Sequence, residues 1–260
     1  MKVALSIAGF DPSSGAGVTA DLAVFAAHGI FGTSALTALT VQSTVAVFRV
    51  VPTDPELLRE TLYSLEEDLP ADGIKIGMLA SEACVNVVAD FVLKVRASKP
   101  VPIVLDPVLV ASSGASLLEP SGVHAVIDRL LPLTTWATPN RHEWAVLTGS
   151  KGSPDSLLES GAPVQALRWP FTGFIITGGD SERPDDLLLE PGVPPQWLRG
   201  NKIPSTSTHG TGCAFSSALL CGLMAGQPPA TAAHAAKEYV RRAIEQAPGL
   251  GRGRGPLALR

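Results

Sequence analysis

Val3-Ala4-Leu5-Ser6-Ile7-Ala8, followed by Gly9-Phe10-Asp11-Pro12-Ser13-Ser14-Gly15-Ala16-Gly17 and then by a helical pattern over residues 18–28 that carries Asp21, reads as strand, glycine-rich turn and helix. A short apolar run bounded by turn residues suits a buried strand, and the glycines let the chain reverse tightly before a helix starts. The same grammar repeats outward. Apolar runs at 74–78, 101–105 and 174–177 alternate with helical patterns at 55–67, 82–98, 120–131, 213–225 and 229–246. Parallel strands need crossover connections, and these are usually helices, so the alternation predicts an α/β fold with a central, mainly parallel sheet and helices on both faces. Residues 150–170 and 180–200 interrupt the pattern with Pro154, Pro163, Pro170, Pro184, Pro191, Pro194 and Pro195, and predict short elements or exposed loops. Gly249-Leu250-Gly251-Arg252-Gly253-Arg254-Gly255 reads as a flexible basic segment.

Composition sets bounds on this picture. Of 260 residues, 45% are hydrophobic and 17% charged, so there is apolar surface enough for one α/β domain over 1–260 and no case for global disorder. With 20 basic against 24 acidic residues, no basic excess exists to hold a polyanionic backbone, which excludes nucleic acid as the main partner. Apolar stretches break well before the roughly 20 residues that cross a bilayer, and residues 1–8 meet Asp11 before a signal core could form; a soluble cytoplasmic protein without membrane partners is expected. Cys84, Cys213 and Cys221 show no paired spacing and predict neither a zinc site nor a disulfide framework.

Ligands of open α/β sheets sit beyond the carboxyl ends of the strands, so glycine and polar clusters directly after the apolar runs are the candidate sites. The first is the turn from Gly9 to Gly17, with Asp21 on the helix behind it. It matches neither G-x-x-x-x-G-K-[ST] nor a full G-x-G-x-x-G, and an ordinary strand-to-helix turn explains it equally well. The second is Thr208-His209-Gly210-Thr211-Gly212-Cys213 before the small, apolar run 214–225. Backbone N–H groups at the positive end of such a helix suit phosphate oxygens, and the same dipole favours a thiolate at Cys213; a small cysteine filling a helix contact is the plain alternative.

The third cluster is Thr138-Pro139-Asn140-Arg141-His142-Glu143. Asn140 and Glu143 have capping-box spacing, while the functional reading has Glu143, directly or through water, holding magnesium on nucleotide phosphates. His142 reads as exposed surface. The fourth cluster joins Gln42, after the run 35–41, with Met78 and Asp106-Pro107-Val108. Gln42 offers a donor and an acceptor to the edge of a heteroaromatic ring, Asp21 can accept from a ring amine, and Met78 can line the ring's flat face; each alone is equally a cap, turn or packing residue.

Together these segments resemble the hydroxymethylpyrimidine/phosphomethylpyrimidine kinases of thiamine synthesis, in the ribokinase-like superfamily. The resemblance runs through residues 8–22, 36–44, 75–78, 106–110, 138–149, 209–213, 236–239 and 249–257, in order and over nearly the whole chain. It implies a ribokinase-like three-layer sandwich, a homodimer, and transfer of the ATP γ-phosphoryl group to the 5-hydroxymethyl of 4-amino-5-hydroxymethyl-2-methylpyrimidine, with a second phosphorylation of the monophosphate. By the same resemblance Asp21 and Gln42 hold the aminopyrimidine edge beside Gly9, and Met78 covers the ring. Gly210, Thr211 and Gly212 form the anion hole, and Cys213 stands where other ribokinase-like enzymes carry an aspartate base. Asn140, Glu143, Thr177 and Gly179 serve ATP and Mg2+, with Glu143 on the metal.

Departures from the family pattern are Ser112 and Thr177, where its members usually carry lysine, and the loop 181–185; Arg141 or Lys237 are the cations available to compensate. Rival readings are a pyridoxine or pyridoxal kinase, and a pyrimidine-binding protein with weak or lost catalysis. A ribokinase-like sugar kinase fits least, because Cys213 replaces the expected aspartate.

Overall fold

The computed structural model describes residues 1–111, 114–149, 165–166, 168–179 and 181–260. In chain order the elements are β1 (Val3–Phe10), α1 (Gly17–Ala27), β2 (Phe31–Gln42), β3 (Val47–Pro52), α2 (Pro55–Asp68), β4 (Gly73–Ile76), α3 (Glu82–Ser98), β5 (Ile103–Leu105), α4 (Pro120–Ala125), β6 (Trp136–Ala137), α5 (Arg141–Thr148), β7 (Gly173–Ile176), β8 (Asp186–Leu189), β9 (Gln196–Leu198), α6 (Thr211–Met224) and α7 (Pro229–Glu245). The strands form one nine-stranded sheet in the order β3-β2-β1-β4-β5-β6-β7-β8-β9. From β2 through β7 the neighbours are parallel, while β3, β8 and β9 add antiparallel edges. The expected mainly parallel sheet with helices on both faces is what forms.

Side-chain alternation along the buried strands builds the two cores. Leu5 and Ile7 of β1 face one side, with Ile103 and Leu105 of β5 and Phe174 and Ile176 of β7, and pack beneath α2, α3, α4 and α5. Ala4, Val104 and Ile175, at the intervening positions, face α1, α6 and α7. Strands covered on both faces lose the polar alternation of a half-exposed sheet, so they read as continuous apolar runs. Helix starts follow local chemistry: Asp54 caps α2, accepting from the N–H groups of Glu56 and Leu57 ahead of Pro55 at the first turn, and Ser81 caps α3 through Cys84 N.

The helix expected over 120–131 is regular only to Ala125, then widens into a π turn at Val126–Leu130 and closes as a 3-10 turn at Leu131–Leu133. Pro132 supplies the reason, since it has no N–H for the ladder and its ring crowds the preceding turn. Part of the irregular region 180–200 folds into the β8–β9 pair. The segment from Gly249 to Gly255 is not a loose end. It lies against the β2–β3 turn, with Gly253 N directed at Thr44 Oγ1, and continues into the sheet-side core, where Leu257 and Leu259 are buried. Gly255 N donates to Thr206 O and Gly255 O accepts from His209 N, so this strap ties the β2–β3 turn to the loop before α6.

Candidate active site

The parallel strands β1, β4, β5, β6 and β7 finish on the same edge of the sheet, and Asp11, Met78, Asp106, Asn140 and Thr177 follow them there. Onto this edge α6 delivers its N-terminus. Gly210 is the cap residue, with φ of 81° and no side chain available to satisfy the first turn. A Cβ on Gly210 would sit 1.8 Å from the carbonyl oxygen of Gly15, so the two loops touch backbone to backbone and only glycine fits. The N–H groups of Thr211, Gly212 and Cys213 belong to the first turn, where no intrahelical acceptor exists; they face the positive end of the helix dipole.

Beneath this turn lies a charged cluster. Lys75 of β4 and Asp21 of α1 are both fully buried and paired at 3.0 Å, and Asp21 also accepts from Ser6 Oγ at 2.6 Å and Ser217 Oγ at 2.9 Å. Burial alone would push the Lys75 ammonium down, but the charge and hydrogen bond of Asp21 outweigh it and hold the group above its usual range. Asp106, at the end of β5, accepts from Ser216 Oγ at 3.4 Å; burial raises its carboxyl despite Lys75.

Cys213 keeps some exposed surface, yet the protein packed around its sulfur, only partly offset by Lys75, pushes the thiol up to about 12. Desolvation thus opposes the thiolate that the helix dipole favours, and the resting group is the thiol. A second correction concerns Asp21. Its oxygens are spent on Lys75, Ser6 and Ser217 with no exposed surface, so it anchors the lysine instead of meeting a ligand edge.

Gly9, near the end of β1, packs against Met78, which follows β4. Met78 clusters with Ala38 and Leu117, with Val47, Val50 and Val108 packed alongside, and its Sδ lies 3.0 Å from where a Gly9 Cβ would stand. This gives a flat apolar face with the backbone of Gly9 pressed against it. Gln42 Nε2 is 3.2 Å from His209 Nε2, and His209 Nε2 is 2.7 Å from Asp11 Oδ2. His209 and Asp11 were not among the candidates; the signal in the sequence was only that each sits inside a glycine cluster already singled out.

Asn140 and Glu143 form the complete capping box: Glu143 N donates to Asn140 Oδ1 at 2.9 Å, and Asn140 N donates to Glu143 Oε2 at 2.8 Å. Asn140 also bridges to Thr177, whose N–H donates to Pro139 O at 2.9 Å, so the α5 start and the Thr177-Gly178-Gly179 turn form one patch. Arg141 Nη2 reaches 3.2 Å from where a Gly178 Cβ would stand, while Lys237 pairs with Asp186, which accepts from Gly178 N at 2.9 Å. Both compensating cations thus approach this turn. Ser112 lies outside the described residues, and His142 is exposed as expected. Leu109 N approaches the second oxygen of the buried Glu143 at 3.5 Å. The capping box occupies Oε2 and leaves Oε1 with only this long contact, so the carboxylate fits a cation carried on nucleotide phosphates, met directly through Oε1 or through water.

A cavity of about 720 Å³ opens between Ile203, Ser205 and Ser207 on one side and Ile244, Ala247 and Gly249 at the end of α7 on the other. Its rim at Ser207 lies three residues before the cap of α6. Its residues escaped the sequence reading because they form no motif, only a gap between a loop and a helix end.

Residues 11–258 match the family described as phosphomethylpyrimidine kinase. A hydroxymethylpyrimidine/phosphomethylpyrimidine kinase of Haemophilus influenzae is 37% identical over 98% of this chain and 96% of its own. The structure of a pyridoxal kinase from Staphylococcus aureus in complex with AMP-PCP and pyridoxal superimposes with a TM-score of 0.86 at 28% identity, over 100% of this chain and 94% of that one. A phosphomethylpyrimidine kinase structure from Clostridium difficile gives 0.79 at 31% identity, over 94% and 100%.

Proposed function

The chain belongs to the phosphomethylpyrimidine kinase family, and we propose on that footing that it transfers the γ-phosphoryl group of ATP to the 5-hydroxymethyl of 4-amino-5-hydroxymethyl-2-methylpyrimidine and then to the resulting monophosphate, in thiamine biosynthesis. It is a phosphotransferase. The observation that carries the reading is the uncapped first turn of α6, placed above buried Lys75, together with the apolar face at Met78.

The substrate ring lies on Met78 against Gly9, with its edge on Gln42, which directs the hydroxymethyl toward Cys213. The hydroxyl oxygen attacks the γ-phosphorus as the bond to the β,γ-bridging oxygen breaks and ADP leaves. Such a transfer runs through a loose transition state, so it requires positioning and charge stabilisation more than a strong base. Gly210, Thr211, Gly212 and Cys213 present backbone N–H groups to the transferring oxygens, while Lys75 adds a fixed positive field from below. The Cys213 thiol orients the hydroxyl, whose proton passes late to an oxygen of the transferred phosphoryl group. Asn140, Glu143, Thr177 and Gly179 line the polyphosphate, and Arg141 supplies the cation that Thr177 does not. The cavity between Ile203 and Gly249 takes the nucleoside. Magnesium, when bound to the phosphates, neutralises charge there, with Glu143 acting directly or through water.

We read 1–260 as one kinase domain acting in the cytoplasm; among the described residues no helix is long and apolar enough to cross a membrane. It pairs as a homodimer through the exposed apolar side chains of the β2–β3 hairpin, Leu39, Val41, Val45, Phe48 and Val51.

The test is mass-resolved product from purified protein with magnesium, ATP and, separately, the free pyrimidine, its monophosphate and pyridoxal. Product from both pyrimidines is expected. Conversion of pyridoxal alone replaces this reading with a pyridoxal kinase, and pyrimidine binding without any product replaces it with a binding protein.

A further inference from the structure

His209 projects from the loop before α6 into a contact that the transfer chemistry does not require. Its Nε2 lies 2.7 Å from Asp11 Oδ2 and 3.2 Å from the Gln42 amide. Asp11 is nearly fully buried and also accepts from Ser13 N at 2.9 Å, Ser13 Oγ at 2.7 Å and Ala16 N at 3.0 Å. Burial alone would raise its carboxyl, but the hydrogen bonds from His209 and Ser13 outweigh this and hold it below the ordinary carboxylate range. An ionised oxygen at that distance needs a proton on Nε2, so His209 donates there in either its neutral or its charged state.

Two N–H donors cannot face each other, so the end of the Gln42 amide nearest His209 is its oxygen. Turning the amide by half a turn about its last torsion exchanges two nearly isosteric ends. Its nitrogen then faces Thr40 Oγ1, the contact at the other end, now 3.3 Å away. Thr40 Oγ1 donates its own proton to Phe10 O at 3.0 Å, leaving lone pairs to accept from the amide. The single Nε2 proton goes chiefly to Asp11 Oδ2 at 2.7 Å and is shared with the Gln42 oxygen at 3.2 Å, while the Gln42 nitrogen donates to Thr40 Oγ1.

The imidazole has little room to leave. A Cβ on Gly15 would lie 2.2 Å from His209 Cδ2, and His209 N is held by Gly255 O at 3.1 Å. We propose that Asp11 and His209 are positioning residues that fix which end of the Gln42 amide donates and which accepts, and thereby select the heterocycle; this rests on the pyrimidine kinase reading above. An aminopyrimidine edge presents a ring nitrogen that accepts beside an amine that donates. Only one orientation of the amide is complementary to it in the pose that brings the hydroxymethyl to Cys213.

Long-range proton–nitrogen spectra of the full-length protein, with the His209 signals assigned by their loss in His209→Asn, should show Nε2 protonated; a bare Nε2 overturns the proposal. In steady-state kinetics His209→Asn should raise KM for the hydroxymethylpyrimidine about tenfold, the scale of one hydrogen bond, while kcat moves far less. The preference for the pyrimidine over pyridoxal should narrow by a similar factor. In a Gln42→Ala background the same substitution should move KM no further, and Gly15→Ala, which displaces the imidazole from behind, should act in the same direction as His209→Asn. Additive losses from Gln42 and His209 overturn the proposal. A wild-type protein that phosphorylates no pyrimidine sinks the functional reading instead, and the protonation of Nε2 still decides the fate of the Asp11–His209 pair.

Discussion

Cys213 is where two physical effects of similar reach oppose each other. The helix dipole favours a thiolate, burial favours the thiol, and the outcome is a group pushed up to about 12. A raised folded value means the protonated form stabilises the fold below the unfolded thiol value of about 8.5. That contribution fades as pH rises through the folded value. Iodoacetamide labelling followed by peptide mass mapping should therefore leave Cys213 nearly unmodified at pH 7 to 8, with labelling growing only in alkali; rapid labelling at neutral pH would restore the thiolate. Cys213→Ala should lower kcat while leaving pyrimidine affinity within about twofold, because one weak polar contact is lost and the backbone donors remain. Arg141→Ala should be costlier for turnover, on the order of 100-fold, the scale seen when a donor to developing charge is removed. A kcat unchanged in this variant would return the missing-lysine problem to Lys237 or to residues beyond the described ones. The sequence brought Gln42, Met78, Gly210 and Cys213 to notice through residue type and spacing. It could not place Asp21, whose chemistry is that of a ligand contact but whose burial makes it an anchor for Lys75. A carboxylate looks the same in a sequence whether it faces a pocket or an ammonium.

At the level of elements, the helices were legible because each carries enough residues for a repeating face, and α3 at Glu82–Ser98 coincides with its pattern. Short strands were harder. β6 has two residues, Trp136–Ala137, and β9 three, Gln196–Leu198, too few to show any period. β2 was not read as a strand: only the apolar run 35–41 before Gln42 stood out, because its burial is mixed along the whole length. The glycine and arginine strap misled for a different reason: its composition suits flexibility, while its order comes from close backbone approach to Thr44 and Ser207. A Cβ on Gly253 would sit 2.1 Å from Thr44 O. Gly253→Val should destabilise the fold by about 1–3 kcal/mol, the usual penalty for forcing atoms into a filled space, and should raise KM for the pyrimidine because the turn after Gln42 loses its fastening. Scanning calorimetry and kinetics check both; a variant that melts and turns over like the parent would return the strap to a passive role.

The molecule as a whole depends on a charge pair at its centre. Lys75→Met removes one partner and leaves the Asp21 carboxylate buried, a change expected to cost about 3–5 kcal/mol, measurable by urea unfolding. An unaltered midpoint would mean that water or Ser6 and Ser217 suffice for Asp21. On the outside, Val41→Glu with Phe48→Glu should shift the protein from dimer to monomer in sedimentation velocity runs, since both are more than half exposed on the hairpin; a monomeric parent protein removes the homodimer. The contact of Gly210 with the carbonyl of Gly15 reaches furthest. It joins two loops from distant parts of the chain with no side chain between them, so at Gly210 no residue but glycine can stand. The face around Met78 is made mostly of side chains, from the hairpin and after β4, where each substitution alters its shape. Substitution can therefore reshape the face around Met78 while the backbone contact between the two loops stays as it is.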